Sequence, residues 1–76
     1  MKWIGNGSGE PPVCDIGAAG MDATHQHDMK PGFVDGATQF GPWALMCLPC
    51  HERYGKGIGT GRGQKYNGTT YEKIAG

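Results

Sequence analysis

Apolar residues fall along this chain in short clumps, and the i, i+3, i+4, i+7 spacing of an amphipathic helix is nearly absent. Gly or Pro interrupts most of the chain, and they cost a helix interior roughly 1 and 3 kcal/mol each. Short strands and turns are therefore predicted: Val13 to Ile16, Phe33-Val34 running toward Gln39, and Trp43 to Met46, each bounded by Gly or Pro. One short helical turn is expected after Cys50, through Tyr54. Asn67-Gly68 lies between Lys65-Tyr66 and Thr69-Thr70-Tyr71, and Asn-Gly supplies the two positive φ angles of a type I′ turn, which predicts a C-terminal hairpin. The longest apolar run, Trp43 to Leu48, falls far short of the roughly 20 residues that span a bilayer, so no transmembrane helix is expected.

Composition turns this pattern into a question about stability. At 76 residues the chain fits one domain, residues 1–76, with 1–12 expected to be loosely ordered. Leu, Ile, Val and Phe supply only ten residues, while Gly and Pro supply 15 and 5. A core this thin normally recruits disulfides, a metal or a partner chain. Phe33, Phe40 and Trp43 are the large side chains expected to fill it. Seven basic and seven acidic residues cancel, which speaks against the high net charge of a disordered chain. Three Cys leave one thiol over in any disulfide scheme, and Met1 to Gly7 offers no apolar stretch for export. Both features predict a reducing, cytoplasmic setting.

Cys47-Leu48-Pro49-Cys50 carries the strongest chemical signal, because a two-residue spacer lets two sulfurs converge on one tetrahedral ion. A structural zinc site needs two further ligands. Cys14 is the remaining thiol, and His25 or His27 can complete the set, since residues i and i+2 of an extended segment point to one face. The other His is left to orient through Asp28 or to face solvent. His51, directly after Cys50, is awkwardly placed for the same ion. The expected site is Cys14, His25 or His27, Cys47 and Cys50 around one structural Zn²⁺, with folding coupled to metal binding.

Other chemistries use the same residues. A redox Cys-x-x-Cys expects a surrounding βαβ pattern, which is not visible. Cys47-x-x-Cys50-His51 is also the c-type haem attachment pattern, but every Met lies upstream of it, where a downstream axial Met is usual. The stretch Trp43 to Arg53 resembles the zinc-stapled second half of HNH-family nucleases. That resemblance implies a treble-clef architecture and, as an alternative function, metal-dependent nuclease activity. The upstream pair here reads His27-Asp28, reversed from the family's order, and no Asn precedes Leu45 at the family's position.

A wider resemblance runs from Phe33-Val34-Asp35-Gly36-Ala37-Thr38 through Gly41-Pro42-Trp43-Ala44 and Met46-Cys47-x-x-Cys50-His51 to Gly57-Ile58-Gly59-Thr60-Gly61-Arg62-Gly63-Gln64-Lys65-Tyr66. It is similar to a family of small, uncharacterised, zinc-binding proteins encoded by bacteriophages. In that family a first Cys-x-x-Cys-Gly commonly precedes the Phe segment. Cys14-Asp15-Ile16-Gly17 looks like its start, with Gly17 in place of the second Cys. Ala18 to Lys30 looks like an insertion, and it brings both candidate His residues. The resemblance implies an accessory protein acting on a host or viral macromolecule in the host cytoplasm, and it supplies no activity.

Charge adds a candidate surface. Residues 1–50 carry a net −3, whereas Arg53, Lys56, Arg62, Lys65 and Lys73 against Glu52 and Glu72 give the remainder +3. Lys56, Arg62 and Lys65 are the candidates for an anionic partner. Gly55, Gly57, Gly59, Gly61 and Gly63 recur at every second residue, which fits close backbone packing, phosphate contact or a flexible loop. The resulting expectation is a small, mostly β, irregular domain of the zinc-ribbon or treble-clef kind. It binds a protein or a nucleic acid, with no membrane, no small-molecule substrate and no catalysis of its own.

Overall fold

The clumps that begin at Phe33 and Trp43 do form strands. In a computed structural model, which describes Trp3 and residues 11–76, β1 (Phe33–Ala37), β2 (Trp43–Cys47), β3 (Gly63–Tyr66) and β4 (Lys73–Ala75) build one antiparallel sheet in the order β2-β1-β3-β4. The expectation that residues 1–12 are loosely ordered lies outside the described residues except at Trp3, Pro11 and Pro12. The radius of gyration is 11.3 Å, against about 11.4 Å for a folded chain of this length. The mostly β expectation holds.

Strand β1 is central, and its register sets the core. Phe33 faces Cys47 on one side and Tyr66 on the other, while Val34 faces Met46 and Lys65. Alternation then puts Phe33, Cys47 and Tyr66 on one sheet face. There Phe33 stacks on Tyr66 at 5.5 Å and meets Trp3 edge-on at 5.4 Å. Trp3 is held by its backbone N–H, which donates to the Tyr71 carbonyl. Phe33 and Tyr66 are buried as expected of a core, but Phe40 and Trp43 are more than half exposed. Both belong to the β1–β2 hairpin, Phe40 at its tip and Trp43 at the start of edge strand β2, where no layer among the described residues covers them. Cys14, Ile16, Met29 and Met46 take the interior places instead.

Two short helices flank the sheet. Val13 to Ile16 is not a strand: Asp15–Ala18 forms a single helical turn, α1. The Asp15 carboxylate accepts the Leu45 N–H at 2.8 Å, covering one of the donors that edge strand β2 would otherwise present to solvent. Helix α2 (Leu48–Tyr54) begins directly after β2 and takes in Cys50, three residues earlier than expected. Pro49 fits there because the first helical turn needs no N–H from it.

The C-terminal hairpin forms, but its second strand is Lys73–Ala75 and not Thr69 to Tyr71, and it does not close through a type I′ turn. Neither Asn67 nor Gly68 has a positive φ. The Asn67 side chain accepts the N–H groups of Thr69 and Thr70, and Tyr71 takes the left-handed conformation at φ 65°. Gly68 is needed for a different reason: a Cβ there would run into the backbone carbonyls of Met29 and Lys30. The alternate glycines are likewise not one extended face. Gly57, Gly59 and Gly61 have φ of 101°, 134° and 78°, so the segment turns back until Gly59 and Gly63 exchange backbone hydrogen bonds.

Candidate metal centre

The junction of β2 and α2 places Cys47 at the last strand position and Cys50 in the first helical turn, so both sulfurs face inward. Cys14 occupies the equivalent position before α1. Each is the residue that precedes its helix, and the N–H groups of Gly17 and Cys50 are directed at the sulfurs of Cys14 and Cys47 respectively. Cys14-Asp15-Ile16-Gly17 and Cys47-Leu48-Pro49-Cys50 are thus two copies of one local geometry. Gly17 stands where Cys50 stands in the second copy.

His27 fills the space this leaves. A Cβ on Gly17 would lie 2.5 to 2.9 Å from Cβ, Cγ and Cδ2 of His27, so the imidazole occupies the volume a second cysteine side chain would need. The ligand atoms of Cys14, His27, Cys47 and Cys50 all lie within 4.8 Å of one another. His27 Nδ1 is 3.5 Å from Cys47 Sγ and 3.3 Å from Cys50 Sγ. A tetrahedral ion with Zn–S near 2.3 Å and Zn–N near 2.0–2.1 Å gives an S···N edge of about 3.6 Å. The donor set fits such an ion. We expect Gly17→Ala to displace the imidazole and weaken metal affinity by on the order of 10-fold or more, as a misplaced metal-site group does, which a competition titration with a chromophoric chelator will measure.

Protonation supports the same arrangement. The second ring nitrogen of His27, Nε2, contacts the Asp22 main-chain carbonyl, which can only accept. Nε2 therefore carries the hydrogen, and in the neutral ring Nδ1 keeps its lone pair toward the sulfurs. The three cysteines are free thiols, with Cys14 1 % and Cys47 and Cys50 0 % exposed. Burial pushes the Cys50 thiol well up, and the neighbouring Cys47 and Cys14 add to the effect. Burial also raises Cys47. At Cys14 burial acts in the same direction but is outweighed by the Cys47 and Gly17 N–H groups, so this thiol falls below its ordinary value. Three sulfurs packed away from water resist joint ionisation, and a divalent cation removes that resistance.

Asp28, the expected support of a histidine ring, is exposed and accepts the Lys30 N–H instead. Asp22 does the work that was assigned to it. Besides the carbonyl under His27, its carboxylate accepts from the Thr24 N–H and hydroxyl, from Tyr54 Oη at 2.9 Å and from Arg53 Nη1 at 3.1 Å. The histidine loop is thereby fastened to α2. The available signal was Asp22-x-Thr24, a spacing that favours a side chain closing on its own backbone two residues on.

These partners, first the Thr24 hydroxyl and N–H and then Tyr54, hold the Asp22 carboxyl well below the usual carboxylate range. A depressed folded value contributes stability above the unfolded value, near 4, and loses it as pH falls toward the folded one. The stability lead of the native chain over Asp22→Asn is therefore expected to be constant above about pH 5 and to shrink below about pH 4. Urea unfolding of both chains across that range will show it.

The remaining candidates lie elsewhere. His51 Nε2 contacts the Gly57 carbonyl at 3.0 Å and pins the glycine-rich segment, outside the cluster. Lys56 and Arg62 are exposed and meet at Ala37, whose carbonyl accepts the Lys56 N–H and whose N–H donates to the Arg62 carbonyl. Lys65 is half-buried in β3 opposite Val34. No helix among the described residues is long and apolar enough to cross a membrane. No family model matches the chain, and no curated protein or solved structure is significantly similar to it.

Proposed function

We propose that this chain is a zinc-stapled binding module, in which one structural Zn²⁺ held by Cys14, His27, Cys47 and Cys50 fixes a scaffold for contact with a macromolecule. The convergence of three buried thiols and one correctly protonated imidazole within 4.8 Å carries this reading. Three sulfurs and one nitrogen gathered this closely are a donor set of structural zinc. A hairpin running into a ligand-bearing helix is also the arrangement expected of the second half of a treble clef. When bound, the ion supplies cross-linking of α1, the histidine loop and the β2–α2 junction. His27 has both ring nitrogens committed, one to the sulfurs and one to Asp22, which favours binding over general-base catalysis.

The partner surface we assign is the sheet end around Ala37. It combines exposed Phe40 and Trp43 with exposed Lys56 and Arg62, a mixture suited to an anionic macromolecule. The resemblance to phage-encoded proteins supports an accessory role on a host or viral target.

Elemental analysis of natively purified protein is expected to give one zinc per chain. Metal-free, fully folded protein would overturn the reading. Binding of a fluorescent single-stranded oligonucleotide that weakens steeply with salt and with Lys56→Gln/Arg62→Gln would make the target a nucleic acid. Salt-independent or undetectable binding would remove nucleic acid as the partner and leave protein.

A further inference from the structure

A fifth donor stands beside the cluster of Cys14, His27, Cys47 and Cys50, on its Cys47 and Cys50 side. His25 Nε2 lies 3.5 Å from Cys47 Sγ and 3.5 Å from Cys50 Sγ, as close as His27 Nδ1 comes to the first of them. The two imidazoles sit side by side with centroids 4.5 Å apart. Both therefore satisfy the S···N edge of about 3.6 Å that a tetrahedral zinc site sets.

The hydrogen-bond network also decides which nitrogen of His25 is free. The Thr24 hydroxyl donates its only hydrogen to Asp22 Oδ1, so toward His25 Nδ1, at 3.2 Å, it can act only as an acceptor. Asp22 Oδ1 stands behind it, 3.9 Å from the same nitrogen. The hydrogen of the neutral ring is thus placed on Nδ1, and the lone pair of Nε2 is aimed at the two sulfurs. Asp22 fixes both imidazoles as prospective ligands, His27 through its carbonyl and His25 through its carboxylate and Thr24.

Resting on the zinc reading above, we infer that His25 is a reserve ligand: when the Cys14 thiolate is lost, His25 Nε2 takes the fourth position and converts a Cys₃His site into a Cys₂His₂ site. The connectivity favours Cys14 as the ligand that leaves. Cys47 and Cys50 belong to the β2–α2 junction, and His25 and His27 are tied to α2 through Asp22, Arg53 and Tyr54. These four donors form one braced unit, whereas Cys14 enters from the segment before α1. The ion can therefore keep four ligands, and the staple persists, when the Cys14 sulfur is removed.

Cobalt reconstitution of the native chain, Cys14→Ser, His25→Ala and the double variant tests this. Cys14→Ser is expected to hold one Co²⁺ per chain in a tetrahedral d–d spectrum. Its sulfur-to-metal charge-transfer band should fall to about two thirds, two thiolates replacing three. Removing His25 should cost on the order of 100-fold more affinity in the Cys14→Ser background than in the native one, a non-additivity that only shared occupancy produces. Equal losses in the two backgrounds, or a Cys14→Ser chain that neither folds nor holds cobalt, would overturn the reserve role while leaving a zinc-binding native chain intact. A native chain that takes up neither zinc nor cobalt would instead remove the zinc reading itself, and this inference with it.

Discussion

Chelating the metal from the native chain, or replacing Cys50 with Ser, is expected to abolish its cooperative thermal unfolding. Ten apolar residues are buried among those described, and three of them are the cysteines of the cluster. Only Ile16, Phe33 and Val34 represent the Leu, Ile, Val and Phe side chains that carry most cores. A domain of this size has roughly 4–11 kcal/mol of net stability at typical per-residue values. A structural zinc contributes apparent binding free energies of about 10–16 kcal/mol in small zinc domains at neutral pH. Its removal therefore takes away an amount comparable to the whole margin or larger. Without the ion, buried Cys14, Cys47 and Cys50 also face one another and two imidazoles with no compensating charge. Far-UV circular dichroism during an EDTA titration should lose the native spectrum in step with zinc release, and added zinc should restore it. Cys50→Ser should behave as the chelated protein does at all zinc concentrations that saturate the native chain. A sigmoidal melt within a few degrees of the native midpoint after complete metal removal would refute the coupling.

The parts legible in the sequence are those set by local chemistry. The strands around Phe33 and Trp43 stood out because β-favouring clumps lie between Gly and Pro turns, and Cys47-x-x-Cys50 stood out because its spacing has few other uses. His25 and His27 were legible as a pair, with only the choice between them open. That choice was made by a residue with no side chain, since the room for His27 comes from Gly17, and the absence of a Cβ leaves no mark in a composition or a periodicity. Asp22 was missed for a related reason. Its partners Arg53 and Tyr54 lie more than 30 residues away, and nothing in the local spacing announces them. Val and Ile favour a strand over Val13 to Ile16, yet the segment forms a helical turn that directs the Gly17 N–H at Cys14 and the Asp15 carboxylate at β2. At Asn67-Gly68 a valid turn signal was overridden by packing against Met29 and Lys30. The basic tail was legible as charge only. That Lys56 and Arg62 meet at Ala37 depends on the positive φ angles of the intervening glycines, a tertiary outcome.

Phe33→Ala is expected to cost about 3–5 kcal/mol, the range for deleting a fully buried aromatic ring, whereas Phe40→Ala should cost about 1 kcal/mol or less, as exposed positions do. The two phenylalanines look alike in the sequence and differ entirely in surroundings. Phe33 is 0 % exposed and touches Trp3, Tyr66 and Tyr71, with ring centroids 5.4 to 6.0 Å away. Phe40 is 55 % exposed and has Tyr54 beside it at 5.7 Å. Truncating Phe33 empties the centre of the aromatic cluster, and the rings around it are fixed by backbone pairing to β1 and by the Trp3–Tyr71 hydrogen bond, so the cavity closes only in part. Because Phe33 is also the register partner of Cys47, the cavity opens beside a member of the Cys/His cluster proposed to hold the metal. Zinc affinity should fall together with stability in Phe33→Ala and stay at the native value in Phe40→Ala. Phe33→Leu, which retains most of the volume, should recover the larger part of both losses. Urea unfolding at saturating zinc, paired with a competition titration for zinc, separates the two effects. If Phe33→Ala lowers stability but leaves zinc affinity unchanged, the aromatic cluster and the metal centre are energetically independent, and the sheet core does not help to hold Cys47 in place.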